Sequence, residues 1–132
     1  MKHKMSIKNL YAHHMQEHYK NPKNKGLLKT PDISSLHHNP TCGDQVNIDA
    51  KVNNGVITEI KFSGDGCVIS MATASILTEF CKGKTIKEID KLEEHDVLNL
   101  IKMELGPARI KCAVLSLRAI QDGIKKYRDK NA

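Results

Sequence analysis

Three cysteines sit in stretches suited to metal or sulfur chemistry: Asn39-Pro-Thr-Cys42-Gly-Asp44, Gly64-Asp-Gly-Cys67 and Arg109-Ile-Lys-Cys112. Each lies where a turn or a helix start can hold a thiolate near the surface. Cys42 and Asp44 are two residues apart, so both side chains of one turn can reach a common centre. Cys67 follows two glycines and opens a strongly apolar helical segment, where the helix dipole favours a thiolate. Cys112 opens the last helix beside Arg109 and Lys111, whose charges act in the same direction. The fourth cysteine, Cys81, ends an apolar helix beside Phe80 and reads as a packing residue. It stands 14 residues after Cys67 on that helix. At about 1.5 Å per residue the two are roughly 21 Å apart and cannot share a metal.

The spacing is long: 24 residues separate Cys42 from Cys67, and 44 separate Cys67 from Cys112. Paired C-x-x-C knuckles of a zinc ribbon are therefore absent, and any site must be discontinuous, built from three loops. Spacing alone leaves that reading level with three unrelated cysteines. Two histidine pairs are further candidates. His14 and His18 are one helical turn apart, and His37-His38 precedes the Cys42 loop; surface histidines are common, so neither pair is expected to ligate.

These loops need elements to hold them. Ser6 can cap a helix running to about Gln16, with Ile7, Leu10, Tyr11 and Met15 near helical spacing. Tyr19 to Gly26 reads as loop, broken by Pro22 and Gly26. Ile33 to His38 fits a short edge strand. Val46, Ile48, Ala50 and Val52 then alternate with polar residues, as in a strand with one wet face. Asn53-Asn-Gly55 is a hairpin turn, and Val56, Thr58, Ile60 and Phe62 form the apolar series of the return strand. Helical spacing follows Cys67 through Ile69, Ala72, Ile76 and Phe80, with Gly83 as the stop. Shorter helices are expected around Ile86–Leu92 and Asp96–Met103. Gly106-Pro107 starts a last helix with a stripe of Ile110, Ala113, Val114, Leu117, Ile120 and Ile124, off which Cys112 falls. The fold class is α+β: a small antiparallel sheet of about three strands, covered on one face by helices.

A chain of 132 residues suits one domain over 1–132, with 1–5 and about 126–132 flexible. The formal net charge of +6 is spread along the chain, and two Phe, three Tyr and no Trp offer little for stacking bases. Nucleic acid is therefore not an expected partner, whereas an acidic protein surface is. No window approaches the roughly 18 uncharged apolar residues that span a bilayer, so no membrane is involved. Without an apolar signal core after Met1-Lys-His-Lys, the expected location is the cytoplasm, where thiols stay reduced.

The three cysteine motifs, with Ser70, Ala72, Ala74 and Ser75 after Cys67, Arg109 to Leu115, and the opening Glu17-His-Tyr-Lys-Asn-Pro-Lys-Asn-Lys-Gly26, resemble the iron–sulfur scaffold family of IscU, SufU and the NifU N-terminal domain. The resemblance runs from about Tyr11 to Ile124 with the motifs in the family's order. It implies an IscU/SufE-like fold, with Cys42, Cys67 and Cys112 as ligands and Asp44 as the carboxylate that keeps a bound cluster labile. Cys112 or Cys67 would accept sulfur from a cysteine desulfurase, and Arg109 and Lys111 would support the thiolate and the docking. Two departures from IscU and one from SufU matter. IscU has His where this chain has Lys111, which SufU resembles. The chaperone-binding Leu-Pro-Pro-Val-Lys of IscU is replaced by Leu105-Gly-Pro-Ala-Arg109, which speaks against docking to the specialised Hsp70 chaperone. SufU in turn has an insertion before the third cysteine, where this chain has only Thr85–Ala108.

The resemblance implies a scaffold rather than an enzyme: it assembles a labile [2Fe–2S] cluster and passes it to apo-proteins. A SufU-like zinc-dependent sulfur acceptor that stimulates a desulfurase is the alternative. A purely structural zinc module is the third reading.

Overall fold

The computed structural model describes residues 7–41 and 43–132. Cys42, the Ser6 cap, the 1–5 segment and the side chains of Ile7, Leu10 and Tyr11 lie outside the described residues. The elements are α1 (Ile7–Lys20), β1 (Ile33–His38), β2 (Gln45–Asn53), β3 (Val56–Asp65), α2 (Val68–Cys81), α3 (Ile86–Asp90), α4 (Glu94–Ile101), α5 (Pro107–Ala113) and α6 (Leu115–Lys130). The strands form an antiparallel sheet in the order β1-β2-β3. The class is α+β, and Ile33–His38 is an edge strand as expected. No helix among the described residues is long and apolar enough to cross a membrane.

The β2–β3 hairpin sets the register on which the candidate site depends. Asn54 and Gly55 make the turn with φ of 53° and 77°, the left-handed pair of a type I′ connection. Pairing starts at Asn53 with Val56 and Val52 with Ile57, then shifts so that Lys51 faces Glu59. One extra residue, Thr58, is thereby accommodated in β3 as a bulge. The bulge corrects the expected apolar series of this strand: Ile57, not Thr58, is buried, in line with Ile60 and Phe62. It also moves every later pair by one, so Gln45 meets Asp65 and Val46 meets Gly64.

The outer face of the sheet is less wet than its alternation suggests. The segment after α1 bonds the β3 edge, with Gly26 N–H donating to Phe62 O (2.8 Å) and Phe62 N–H to Asn24 O (2.8 Å). Further along, Leu28 N–H donates to Oδ2 of Asp49, and Ser34 and Asn47 donate to its Oδ1. Asp49 is therefore buried, and these bonds satisfy its carboxylate.

The helical layer differs from expectation in three places. First, α1 extends past Gln16 to Lys20, so the loop begins later than Tyr19. Second, α2 is not merely amphipathic: it is buried on nearly every side and packs against α1, β3, α4, α5 and α6. Third, the single last helix is two helices meeting at Val114 (φ −90°, ψ 0°). Residues 112–117 are all buried, which no straight helix on one flat surface permits. The break at Val114 resolves this, since Cys112 and Ala113 join a cluster with Met15, Ile69, Ala72, Ile76 and Ile101. Leu115 and Leu117 join the main core over the sheet instead. Cys112 is accordingly buried, although it falls off the apolar stripe, and it sits in the last turn of α5 rather than at a helix start. α6 stays helical to Lys130.

Candidate metal centre

Each of three segments brings one potential ligand atom to a common place. Asp44 immediately precedes β2, and the register places it beside the loop that leaves β3 after Asp65. Two glycines make that approach possible. Gly64 has φ +141°, and a Cβ there would stand 2.1 Å from Gln45 O. A Cβ on Gly66 would stand 3.0 Å from Cγ of Asp44. The Gly-Asp-Gly run is thus the space that the start of β2 occupies. On the other side, Asn39 ties the loop to Asp44: Asn39 N–H donates to Asp44 O (2.7 Å), and Gly43 N–H to Asn39 O (2.8 Å). Thr41 N–H completes the loop on Asn39 Oδ1 (3.0 Å).

Cys67 is the N-cap of α2, its backbone extended (φ −70°, ψ 169°) and its sulfur accepting from Ser70 N–H at 3.5 Å. The sequence expectation that Cys67 opens this helix is met. Cys112 reaches the same place from α5, which packs directly on α2; its thiol points at Ala108 O (3.8 Å). One ligand atom each from Asp44, Cys67 and Cys112 lies within 4.8 Å of the other two.

That separation and donor chemistry fit a metal centre. Two soft sulfurs and a hard oxygen converge, a donor set that a tetrahedral zinc or an iron–sulfur unit can use, with Cys42 two residues before Asp44 in sequence as the potential fourth donor. Cys67 is exposed, whereas Cys112 and Asp44 are buried. Both cysteines line a pocket with Asn39, Thr41, Ala108 and the exposed cations Arg109 and Lys111. Those two charges stand where a cluster of anionic donors would need compensation.

The remaining candidates lie elsewhere. Cys81 is fully buried at the far end of α2, and burial pushes its thiol up to about 12. His37 Nε2 is 3.2 Å from Asp122 of α6. His14 and His18 stack edge to face, and His18 Nδ1 is 2.7 Å from Ser75 Oγ. No histidine joins the Asp44–Cys67–Cys112 group among the described residues. One residue escaped the sequence reading of the site. Ser70, noted only as part of a family motif, touches both Asp44 and Cys67. The signal was its place three residues after the N-cap, where side chains take part in capping.

The NifU-like N-terminal domain family matches residues 10–132. The chain belongs to this family. Among its relatives, the zinc-dependent sulfurtransferase SufU of Bacillus subtilis is 35% identical, covering 96% of this chain and 97% of the relative. The iron–sulfur cluster assembly scaffold protein IscU of Buchnera aphidicola is also 35% identical, over 92% and 98%. The SufU match extends over 143 aligned positions, more than this chain's 132 residues, so that relative carries residues this chain lacks. In fold, the chain superposes on a NifU-like N-terminal structure from Brucella abortus with a TM-score of 0.76, covering 94% of this chain and 98% of that one at 20% identity. It also matches a SufU structure from Fervidobacterium islandicum with a TM-score of 0.72, covering 90% and 99% at 22% identity. The family is thus one of iron–sulfur cluster assembly proteins, and its named members include both scaffolds and a sulfurtransferase.

Proposed function

We propose that this chain is a scaffold on which a labile [2Fe–2S] cluster is built and from which it is passed to apo-proteins. It would act as a carrier rather than an enzyme, in the cytoplasm and with a cysteine desulfurase as sulfur donor. The observation that supports this most is the convergence of Asp44, Cys67 and Cys112 from three separate segments within 4.8 Å. Iron and sulfide are cargo here. Three thiolates, Cys42 included, bind them firmly, while the harder carboxylate of Asp44 grips less well and makes release possible.

Sulfur would arrive as a persulfide on the desulfurase. A thiolate of this chain attacks the outer sulfur, the S–S bond breaks, and the desulfurase leaves as a thiolate. Of the two acceptor candidates, Cys67 is exposed and Cys112 buried, which favours Cys67 as the first to be reached. Arg109 and Lys111, exposed at the pocket, would stabilise the anionic sulfur species and meet an acidic face of the donor. Reducing the transferred sulfur to sulfide takes two electrons from an external donor.

A second reading has its own support. Lys111 stands where IscU has His, and a protonated lysine cannot ligate; this favours a SufU-like zinc-dependent sulfur acceptor using the same four residues. Anaerobic purification after co-expression with the desulfurase separates the two. Iron and acid-labile sulfide in equal amounts, lost on Cys42→Ser, support the scaffold, and Asp44→Ala should then lengthen the cluster's lifetime. One tightly held zinc without sulfide supports the acceptor. Failure to hold either would reject both.

A further inference from the structure

The contact between Ser70 and Asp44 assigns a task to a residue outside the ligand set. Cys67 is the N-cap of α2 and Ser70 its third residue. In an ordinary capping box the side chain at that third position bonds back to the N-cap N–H. Here Asp44 stands between them. Cys67 N–H donates to Oδ1 of Asp44 (3.2 Å), and Ser70 Oγ–H donates to its Oδ2 at 2.5 Å, the length of a charge-assisted bond. Ser70 N–H meanwhile faces Cys67 Sγ at 3.5 Å, and Ser70 Oγ lies the same distance from that sulfur.

Ser70 is 1% exposed, so no solvent competes for its single proton, and the short contact commits that proton to the carboxylate. The helix end holds the cysteine through a backbone amide and the carboxylate through a hydroxyl of one residue. We infer that Ser70 is a positioning residue: it fixes the orientation in which the Asp44 carboxylate faces Cys67 and Cys112, and so sets the affinity of the centre. This rests on the reading that Asp44 and the cysteines ligate.

Losing such an outer partner typically lowers metal affinity by about 10- to 100-fold. The test is a competition titration of zinc against a chromophoric chelator, on the full chain, in four proteins: wild type, Ser70→Ala, Asp44→Ala and the double variant. Ala is a good helix former, and circular dichroism of the apo proteins checks that α2 survives. Ser70→Ala should lower zinc affinity about 10- to 100-fold, yet change it less than about twofold in the Asp44→Ala background, where nothing is left to position. Ser70→Thr, which keeps the hydroxyl, should recover most of the loss. Cobalt substitution adds a spectral signature. The d–d bands should move in Ser70→Ala while thiolate charge-transfer intensity stays, because the sulfur ligands are unchanged.

Equal losses in both backgrounds, or no loss with wild type binding zinc normally, would overturn the role of Ser70 alone. A loss in Ser70→Thr as large as in Ser70→Ala would do the same. A wild-type chain that binds neither zinc nor cobalt would overturn the ligand assignment, and this role with it.

Discussion

A Cβ atom on Gly66 would stand 3.0 Å from Cγ of Asp44, so the absence of a side chain at one residue makes room for the carboxylate of the other. The contact exists because of the Thr58 bulge. Without it, Gln45 would face Gly64 rather than Asp65, and Asp44 would lie one residue out of place. We predict that Gly66→Ala displaces Asp44 by a few tenths of an ångström. The fold should survive, with zinc affinity lower by about tenfold. A chelator competition checks this; unchanged affinity would show that the close approach does not position the ligand.

Gly64→Ala should act first on the fold, and through it on the approach of Asp44. At φ +141° a Cβ would meet Gln45 O at 2.1 Å, and the obstacle is backbone, which cannot rotate away. Strained backbone of this kind costs about 1–3 kcal/mol before any clash is counted. A loss of at least about 2 kcal/mol in urea unfolding is expected. A substitution within about 0.5 kcal/mol of wild type would mean that the strands part easily there.

Cys81 and Cys67 should differ in reactivity. Burial pushes the Cys81 thiol up to about 12, while Cys67 is exposed at its helix start. Brief alkylation of the native apo protein near neutral pH, read by peptide mass spectrometry, should label Cys67 and leave Cys81 untouched until denaturant is added. Early labelling of Cys81 would contradict the packing role assigned to it.

His18 should make stability depend on pH. Burial holds it below its ordinary value, followed by repulsion from His14 and Lys23. Lys23 N–H donates to Ser75 Oγ, which also lies 2.7 Å from His18 Nδ1 and holds the ring against α2. The unfolded chain therefore binds the proton more tightly. Stability is full above the unfolded value near about 6.5 and falls as pH drops through it towards the lower folded value. Glu79, Glu88 and Asp122, all held below the ordinary carboxylate range chiefly by hydrogen bonds, add a further loss only in more acidic solution. Melting temperatures should decline between about pH 7.5 and about pH 5.5, and less steeply in His18→Gln. Parallel profiles would contradict the assignment.

Much of this was legible in the sequence because it rests on local chemistry. Asn54-Gly55 dictates a type I′ turn, Ile33–His38 alternates as a short strand, and Cys67 follows a glycine into an apolar helix. What sequence could not deliver depends on pairing between distant segments. A bulge leaves no composition signal, so Thr58 read as one more apolar-face residue of β3. The burial of Asp49 needs the segment around Leu28 to fold over the sheet. The break at Val114 answers a competition between two cores, whereas periodicity sees only one face at a time. Cys112 read as surface-lying for the same reason. The convergence itself combines hairpin register with the packing of α5 on α2; the three motifs named its members, and Ser70 emerged only with the geometry.

The most direct test of the centre is X-ray absorption at the zinc edge of the zinc-loaded full chain. The account predicts three sulfurs at about 2.3 Å and one oxygen at about 2.0–2.2 Å, the oxygen replaced or lost in Asp44→Ala. A shell of two or fewer sulfurs, or one completed by imidazole nitrogen, would contradict it.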